Sequence, residues 1–206
     1  MRRGDVASGE RVLIPGPVGA IDAVVDLPAG APVGLALVAH PHPLFGGTLD
    51  NKVAQTLART LVELGYVAVR PNFRGVGQSE GVHDEGHGET DDMVAVVHSL
   101  RARHSLGEAP LVLAGFSFGS LVLSRVAQRL QCARMIFVGT AVTRGKVEAI
   151  PADSIVIHGE KDDVVPLEQV LRWAEQQELP VVVIPGADHF FHRRLHLIRA
   201  IIRQSW

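Results

Sequence analysis

The 206-residue sequence predicts an α/β fold, a mostly parallel central sheet with helices on both faces. Three observations carry that expectation. Short, almost uniformly aliphatic runs such as Val33–Ala39, Leu111–Ala114 and Val181–Ile184 suit strands buried on both sides. Stretches of helical period separate them. The polar, Gly- and Pro-rich stretches fall where strands end, which is where open parallel sheets gather their functional loops.

Taken in order, Val12–Ile14 and Ala20–Asp26 alternate as half-exposed edge strands should, and the intervening Pro15–Gly19 punctuates a hairpin. Val33–Ala39 is a buried strand running into His40-Pro-His-Pro-Leu-Phe-Gly-Gly47, where two prolines and two glycines forbid regular structure. A helix follows from about Leu49 to Leu64, with Gly65 as its C-cap, and Tyr66–Arg70 is the next strand. Asn72–Gly88 reads as one long polar loop. Its G-x-G is a poor dinucleotide fingerprint, since the loop opens into no helix at the required spacing. Met93, Val96, Val97 and Leu100 have helical spacing over Glu89–Arg103.

The stretch around which the chain is organised comes next. An aliphatic run ends in Gly115-Phe-Ser-Phe-Gly119, and the amphipathic segment Leu121–Leu130 starts at once. That is strand, sharp turn, helix, the setting in which G-x-S-x-G lifts a serine hydroxyl clear of a sheet. Ser117 is therefore the candidate nucleophile. Met135–Val138 and Ser154–Gly159 are further strands, a helix spans about Leu167–Gln177, Val181–Ile184 is the last strand, and a final helix reaches Ile202. The whole of residues 1–206 reads as a single domain.

Composition bounds the partners. Hydrophobic residues make up 47% and charged residues 20%, and the net charge is −2. Such a chain offers no basic field for nucleic acid and no polybasic face for membrane, which leaves small molecules as the expected partners, with either a monomer or a homodimer open. The single cysteine, Cys132, makes no intramolecular disulfide. Met1–Glu10 lacks the apolar core of a signal peptide, so the expected location is cytoplasmic.

A serine hydroxyl needs a base within reach and a third group to orient that base. Asp162 follows the strand ending at His158-Gly159, and His189 follows the last strand, giving the order Ser, Asp, His. With H-P-H-P-x-x-G-G at 40–47, N-F-R-G-x-G-x-S-x-G at 72–81, G-x-S-x-G at 115–119, H-G-x-x-D-x-x-V-P at 158–166 and the late histidine, the chain from Val33 onward resembles the α/β-hydrolase superfamily. It is most similar there to small capless bacterial serine hydrolases related to the dienelactone-hydrolase-like group. The resemblance implies an α/β-hydrolase fold of about seven to eight strands with no cap domain, since Val138–Ser154 is too short for one. It also implies a Ser117–His189–Asp162 triad, no cofactor, no catalytic metal and a small or short-chain carboxylic ester as substrate.

Each assignment has a competitor. Asp163 adjoins Asp162, although D-x-x-V-P fits Asp162, and His192 competes with His189 but is expected inside the final helix, where Asp188 is solvated or caps. His158 is expected as a packed, hydrogen-bonded strand residue. His40, His42, His83 and His87 lack the spacing of a metal site. One oxyanion donor is expected to be the Phe118 N–H. Pro41 and Pro43 have no N–H, so the second is Leu44 if the loop is aligned from Phe45-Gly-Gly, or His42 if aligned from its histidine, with Leu44 preferred. Phe45 and Phe190 are the expected pocket walls, with Phe116, Phe118 and Phe191 divided between wall and core. Arg74 and Lys52 are either clamps for a substrate carboxylate or, for Arg74, a brace for backbone carbonyls. Thioesters, small amides and a non-catalytic binding role remain alternatives. Protonation of His189 should lower activity on acidification, around the ordinary imidazole value of about 6.5.

Overall fold

The computed structural model describes residues 9–206; the predicted absence of a leader and the start of the single domain fall partly on residues 1–8, outside the described residues. In chain order the elements are β1 (Glu10–Gly16), β2 (Gly19–Asp26), β3 (Gly34–Ala39), α1 (Lys52–Glu63), β4 (Tyr66–Pro71), α2 (His87–Arg103) and β5 (Leu111–Phe116). They continue with α3 (Phe118–Val126), β6 (Arg134–Val138), β7 (Ile155–Gly159), α4 (Leu167–Glu175), β8 (Val181–Ile184) and α5 (Leu195–Gln204). The strands form one eight-stranded sheet in the order β1-β2-β4-β3-β5-β6-β7-β8. β2 runs antiparallel to both β1 and β4, and every pairing from β4 to β8 is parallel. The hairpin therefore forms as expected, but of its two strands β2 is interior and β1 alone lies at an edge of the sheet.

Side chains alternate across each strand, so one strand feeds two cores. Leu35, Leu37 and Ala39 of β3 pack with Met93 and Val97 of α2, Leu121 of α3 and Val170 of α4. Ala36 and Val38 pack on the opposite face with Leu57 and Leu61 of α1 and Ile198 of α5. Both faces of the parallel strands are covered, which is why their sequences read as unbroken aliphatic runs.

Local chemistry sets the helix ends. Asn51 Oδ1 accepts from the N–H groups of Val53 and Ala54 at 2.9 and 3.3 Å, starting α1, and Gly65 takes a φ of 96° just past its end. Helix α2 begins two residues before the predicted Glu89, because the Glu89 carboxylate reaches back to the N–H of Gly86 at 2.9 Å. α3 begins at Phe118 and ends earlier than the predicted Leu130, with turns following it.

The long polar loop is a structural tie. Asn72 Nδ2 donates to Asp22 Oδ2 on β2 at 2.8 Å, and the Asp22 N–H donates to Ser79 Oγ at 3.0 Å. A Cβ on Gly77 would stand 2.5 Å from Asn72 Nδ2 and 2.6 Å from Asp22 Oδ2. The glycine spacing that imitates a dinucleotide fingerprint thus lets this loop close on the hairpin. Arg74 donates to both Asp92 oxygens at 2.8 Å and to the Gly88 carbonyl at 2.8 Å, so the brace reading holds and its guanidinium is occupied.

Candidate active site

The turn from β5 into α3 works because two glycines permit two close approaches. A Cβ on Gly115 would lie 2.6 Å from Ser120 Cα, and one on Gly119 would lie 2.3 Å from the Ala39 carbonyl oxygen. Between them Ser117 takes φ 53° and ψ −119°, a conformation that L residues avoid and that the surrounding packing imposes. Its N–H donates to the Val138 carbonyl on β6 at 2.9 Å. Gly119→Ala is expected to cost about 1–3 kcal/mol in denaturant unfolding, because the obstruction is backbone. It should also displace the loop after β3, lowering turnover beyond the stability loss; an unchanged unfolding midpoint would refute the close-packing argument.

At the carboxyl ends of β5, β7 and β8 three side chains form a hydrogen-bonded line. His189 Nε2 lies 3.1 Å from Ser117 Oγ, and His189 Nδ1 lies 2.7 Å from Asp162 Oδ2. All three residues are buried. A neutral imidazole with its proton on Nδ1 satisfies both contacts, donating to the carboxylate and accepting from the hydroxyl. Asp162 Oδ1 accepts from the N–H groups of Val164 and Val165 at 3.0 and 2.7 Å. Burial pushes the Asp162 carboxyl up, but the His189 hydrogen bond, the Val165 N–H and the nearby imidazoles outweigh it and hold it below the usual carboxylate range.

The competitors fall away on geometry. Asp163 is exposed. α5 starts only at Leu195, after turns in which Phe191 and Arg193 have φ of 53° and 62°, so His192 is not helical as expected. It pairs instead with Asp188, its Nδ1 2.6 Å from Asp188 Oδ2 at the surface, and Asp188 holds this turn rather than capping the helix. His158 is fully buried, donating from Nε2 to the Val165 carbonyl at 2.9 Å while lying 3.3 Å from Asp162 Oδ2.

His40 joins the loop after β3 to the loop after β4. Its Nδ1 donates to the Pro41 carbonyl at 2.7 Å, and its Nε2 accepts from the Phe73 N–H at 3.0 Å. Burial pushes this imidazole down to about 4. The unfolded chain takes up the proton near the ordinary value of about 6.5 and the folded chain refuses it until about 4, so stability declines as pH falls through that interval. Unfolding midpoints measured from pH 7 downward are expected to show the decline, and it should be shallower in His40→Gln. Equal slopes in the two proteins would exclude His40 as its source.

A cleft of about 290 Å³ opens over Ser117 and is walled by Phe45, Phe118 and Phe190, with His42, Asn51, Arg144, Val164 and Val165. Phe116 and Phe191 are core residues, Phe116 standing behind the His189 ring at 5.0 Å. Among the described residues, the backbone N–H groups of Phe118 and His42 have no acceptor. The Leu44 N–H points to His42 Nδ1 at 3.3 Å, Leu44 is 70% exposed, and it does not line the cleft. Of the two alternatives the sequence offered, His42 is the one that lines the cleft with its N–H free of an acceptor among the described residues. Lys52 is exposed and also lies outside the cleft wall. Among the described residues, no group of three or more His, Cys, Asp or Glu side chains is arranged to hold a metal ion. A larger hollow of about 500 Å³ between the β6–β7 connection and α4 has no Ser, Cys, His, Asp or Glu in its wall. No helix is long and apolar enough to cross a membrane among the described residues.

Arg144 and Asn51 escaped the sequence reading, and Val164 and Val165 entered it only through the D-x-x-V-P motif and not as cleft walls. Only the shortness of the Val138–Ser154 connection hinted that its residues border the site. The profile of the α/β-hydrolase fold matches residues 42–150. A lidless α/β serine hydrolase of Xanthomonas campestris is 37% identical, with a TM-score of 0.90 over 97% of this chain and 94% of its own. An α/β serine hydrolase homologue from Coxiella burnetii is 38% identical, with a TM-score of 0.85 over 97% and 98%. An uncharacterized protein of Rickettsia prowazekii is 32% identical over 85% of this chain and 79% of its own length.

Proposed function

The chain belongs to the α/β-hydrolase family and is a hydrolase, and from that premise we propose that it cleaves small carboxylic esters through an acyl-enzyme on Ser117. The observation that carries this reading is the unbroken line from Ser117 Oγ to His189 at 3.1 Å and from His189 to Asp162 at 2.7 Å, beneath an open cleft. A binding protein that only borrowed the fold has no need of that alignment.

His189 Nε2 takes the Ser117 proton as Oγ attacks the ester carbonyl, and Asp162 stabilises the resulting imidazolium. The carbonyl oxygen becomes an oxyanion, and the N–H groups of Phe118 and His42 are the donors aimed at it, the kind of contact worth about 2.7–4 kcal/mol each. The imidazolium then returns its proton to the departing alcohol. Water, deprotonated by the same Nε2, attacks the acyl-enzyme, and collapse releases the carboxylic acid and restores Ser117. No step calls for a cofactor. The cytoplasmic setting belongs to the proposal, supported by a lone cysteine that the fold does not pair.

The chemistry is tested by rapid mixing with aryl esters of increasing acyl length. A burst of phenol release stoichiometric with enzyme, followed by a slower steady rate, is the expected signature of the covalent intermediate. Absence of turnover with every ester on folded protein would defeat the esterase reading.

A further inference from the structure

Among the described residues, Arg144 is the only Lys or Arg side chain in the cleft wall, and no Asp or Glu lines that wall. Most other arginines near the core are committed, Arg70 to Asp26 and Arg74 to Asp92. Lys146, two residues further on, is held by Glu148 at 2.7 Å. Arg144 differs. Its guanidinium carbon lies 5.0 Å from the centroid of the Phe45 ring, and among the described residues it has no ion pair and no side-chain hydrogen bond. A guanidinium packed over a ring uses its face for the contact and keeps its in-plane N–H groups available for a carboxylate.

The base on which Arg144 stands is anchored. The Ala141 N–H donates to Ser120 Oγ at 3.2 Å, the Glu148 N–H donates to Ser124 Oγ at 3.0 Å, and the Arg144 N–H closes a turn on the Ala141 carbonyl at 3.1 Å. A Cβ on Gly145 would come 2.9 Å from Leu121 Cδ1, so this connection lies directly on α3, the helix that carries Ser117 at its start. The charge is felt inside the cleft. The His42 imidazole is pushed down first by burial and then by the neighbouring His83 and Arg144.

We propose that Arg144, stacked on Phe45, selects esters that carry a carboxylate away from the scissile bond. One guanidinium with no second free cation in the wall matches a monoanion, and the apolar remainder of the cleft, Phe118, Val164 and Phe190, matches a short hydrocarbon between carboxylate and ester. This inference rests on the ester-cleaving reading, and its test separates the two.

The mono-4-nitrophenyl ester of adipate is compared with 4-nitrophenyl hexanoate, which has the same leaving group and chain length but no charge. Wild type is expected to favour the adipate ester in kcat/KM. In Arg144→Ala the ratio of the two kcat/KM values should fall about 10- to 100-fold, mainly through KM, as removal of a charged hydrogen bond does. Arg144→Lys should recover part of the preference, and Arg144→Glu should invert it. A wild type that favours the neutral ester, or variants that lose both activities in equal proportion, overturns the carboxylate assignment and leaves ester hydrolysis standing. If neither ester turns over, the esterase reading fails and calorimetric binding of the corresponding anilides decides: tighter binding of the adipate anilide, lost in Arg144→Ala, supports the site, and equal binding of the two anilides overturns it.

Discussion

Ser117→Ala is expected to lower kcat/KM for an aryl ester by about 10⁴- to 10⁶-fold while leaving the fold intact. The size follows from the arrangement: without Oγ there is no covalent intermediate, and what remains is the oxyanion contacts acting on a water molecule. The fold should tolerate the change because the Ser117 hydroxyl's hydrogen bond is to His189, at 3.1 Å, while the backbone of the turn is held independently by the Ser117 N–H on Val138 and by Ser120 Oγ on the Ser117 carbonyl. Alanine meets the same strain at φ 53° as serine. Two measurements check this together, ester kinetics and labelling with a fluorophosphonate. Labelling of wild type at Ser117 with none in the variant is the expected pattern; a variant that still turns over substrate at a tenth of the wild-type rate would remove the nucleophile from this proposal.

Asp162→Asn should fall by about 10⁴-fold, for a reason specific to its surroundings. Oδ1 is bound to two backbone N–H groups, at 3.0 and 2.7 Å, so an asparagine must place its carbonyl oxygen there and turn its NH2 toward His189. That NH2 donates to Nδ1, which drives the imidazole proton onto Nε2 and leaves nothing to accept from Ser117. The neighbouring Asp163→Asn, altering an exposed carboxylate, should change the rate less than about twofold. If the two substitutions had equal effects, Asp162 would not be the orienting carboxylate. The pH sign is fixed as well. Because the Asp162 carboxyl is held below its usual range, its stabilising contribution is complete above that range and is lost only as pH falls through the depressed value. An acid limb in the rate near neutrality would therefore not be the titration of Asp162.

Much of this was legible because the relevant signals are local. The aliphatic strands announced themselves, since a strand covered on both faces has no position where a polar residue is harmless. Gly115 and Gly119 stood out through the G-x-S-x-G spacing at a strand end, and the spacing is required because their Cβ atoms would meet backbone. The misreadings came where pattern and geometry separate. β2 alternates like an edge strand, yet it is flanked by β1 and β4, and its buried Asp22 is matched by Arg11, Asn72 and the loop that follows β4. His192 sits at helical spacing, but left-handed Phe191 and Arg193 delay α5 until Leu195.

Sequence alone determined the chemistry that is possible here: a serine that can be lifted between two small residues, an imidazole and a carboxylate at the ends of later strands, and no room for a cap between Val138 and Ser154. Those are properties of residue type and order, and order in a parallel sheet dictates which loops share a rim. Only the tertiary structure distinguished the two N–H groups proposed for the oxyanion, because His42 and Leu44 are two residues apart in one turn and the hydrogen bond to His42 Nδ1 occupies just the Leu44 N–H. It alone also brought Arg144 and Phe45 together across the cleft, since a contact between loops that follow different strands leaves no periodic trace in the chain.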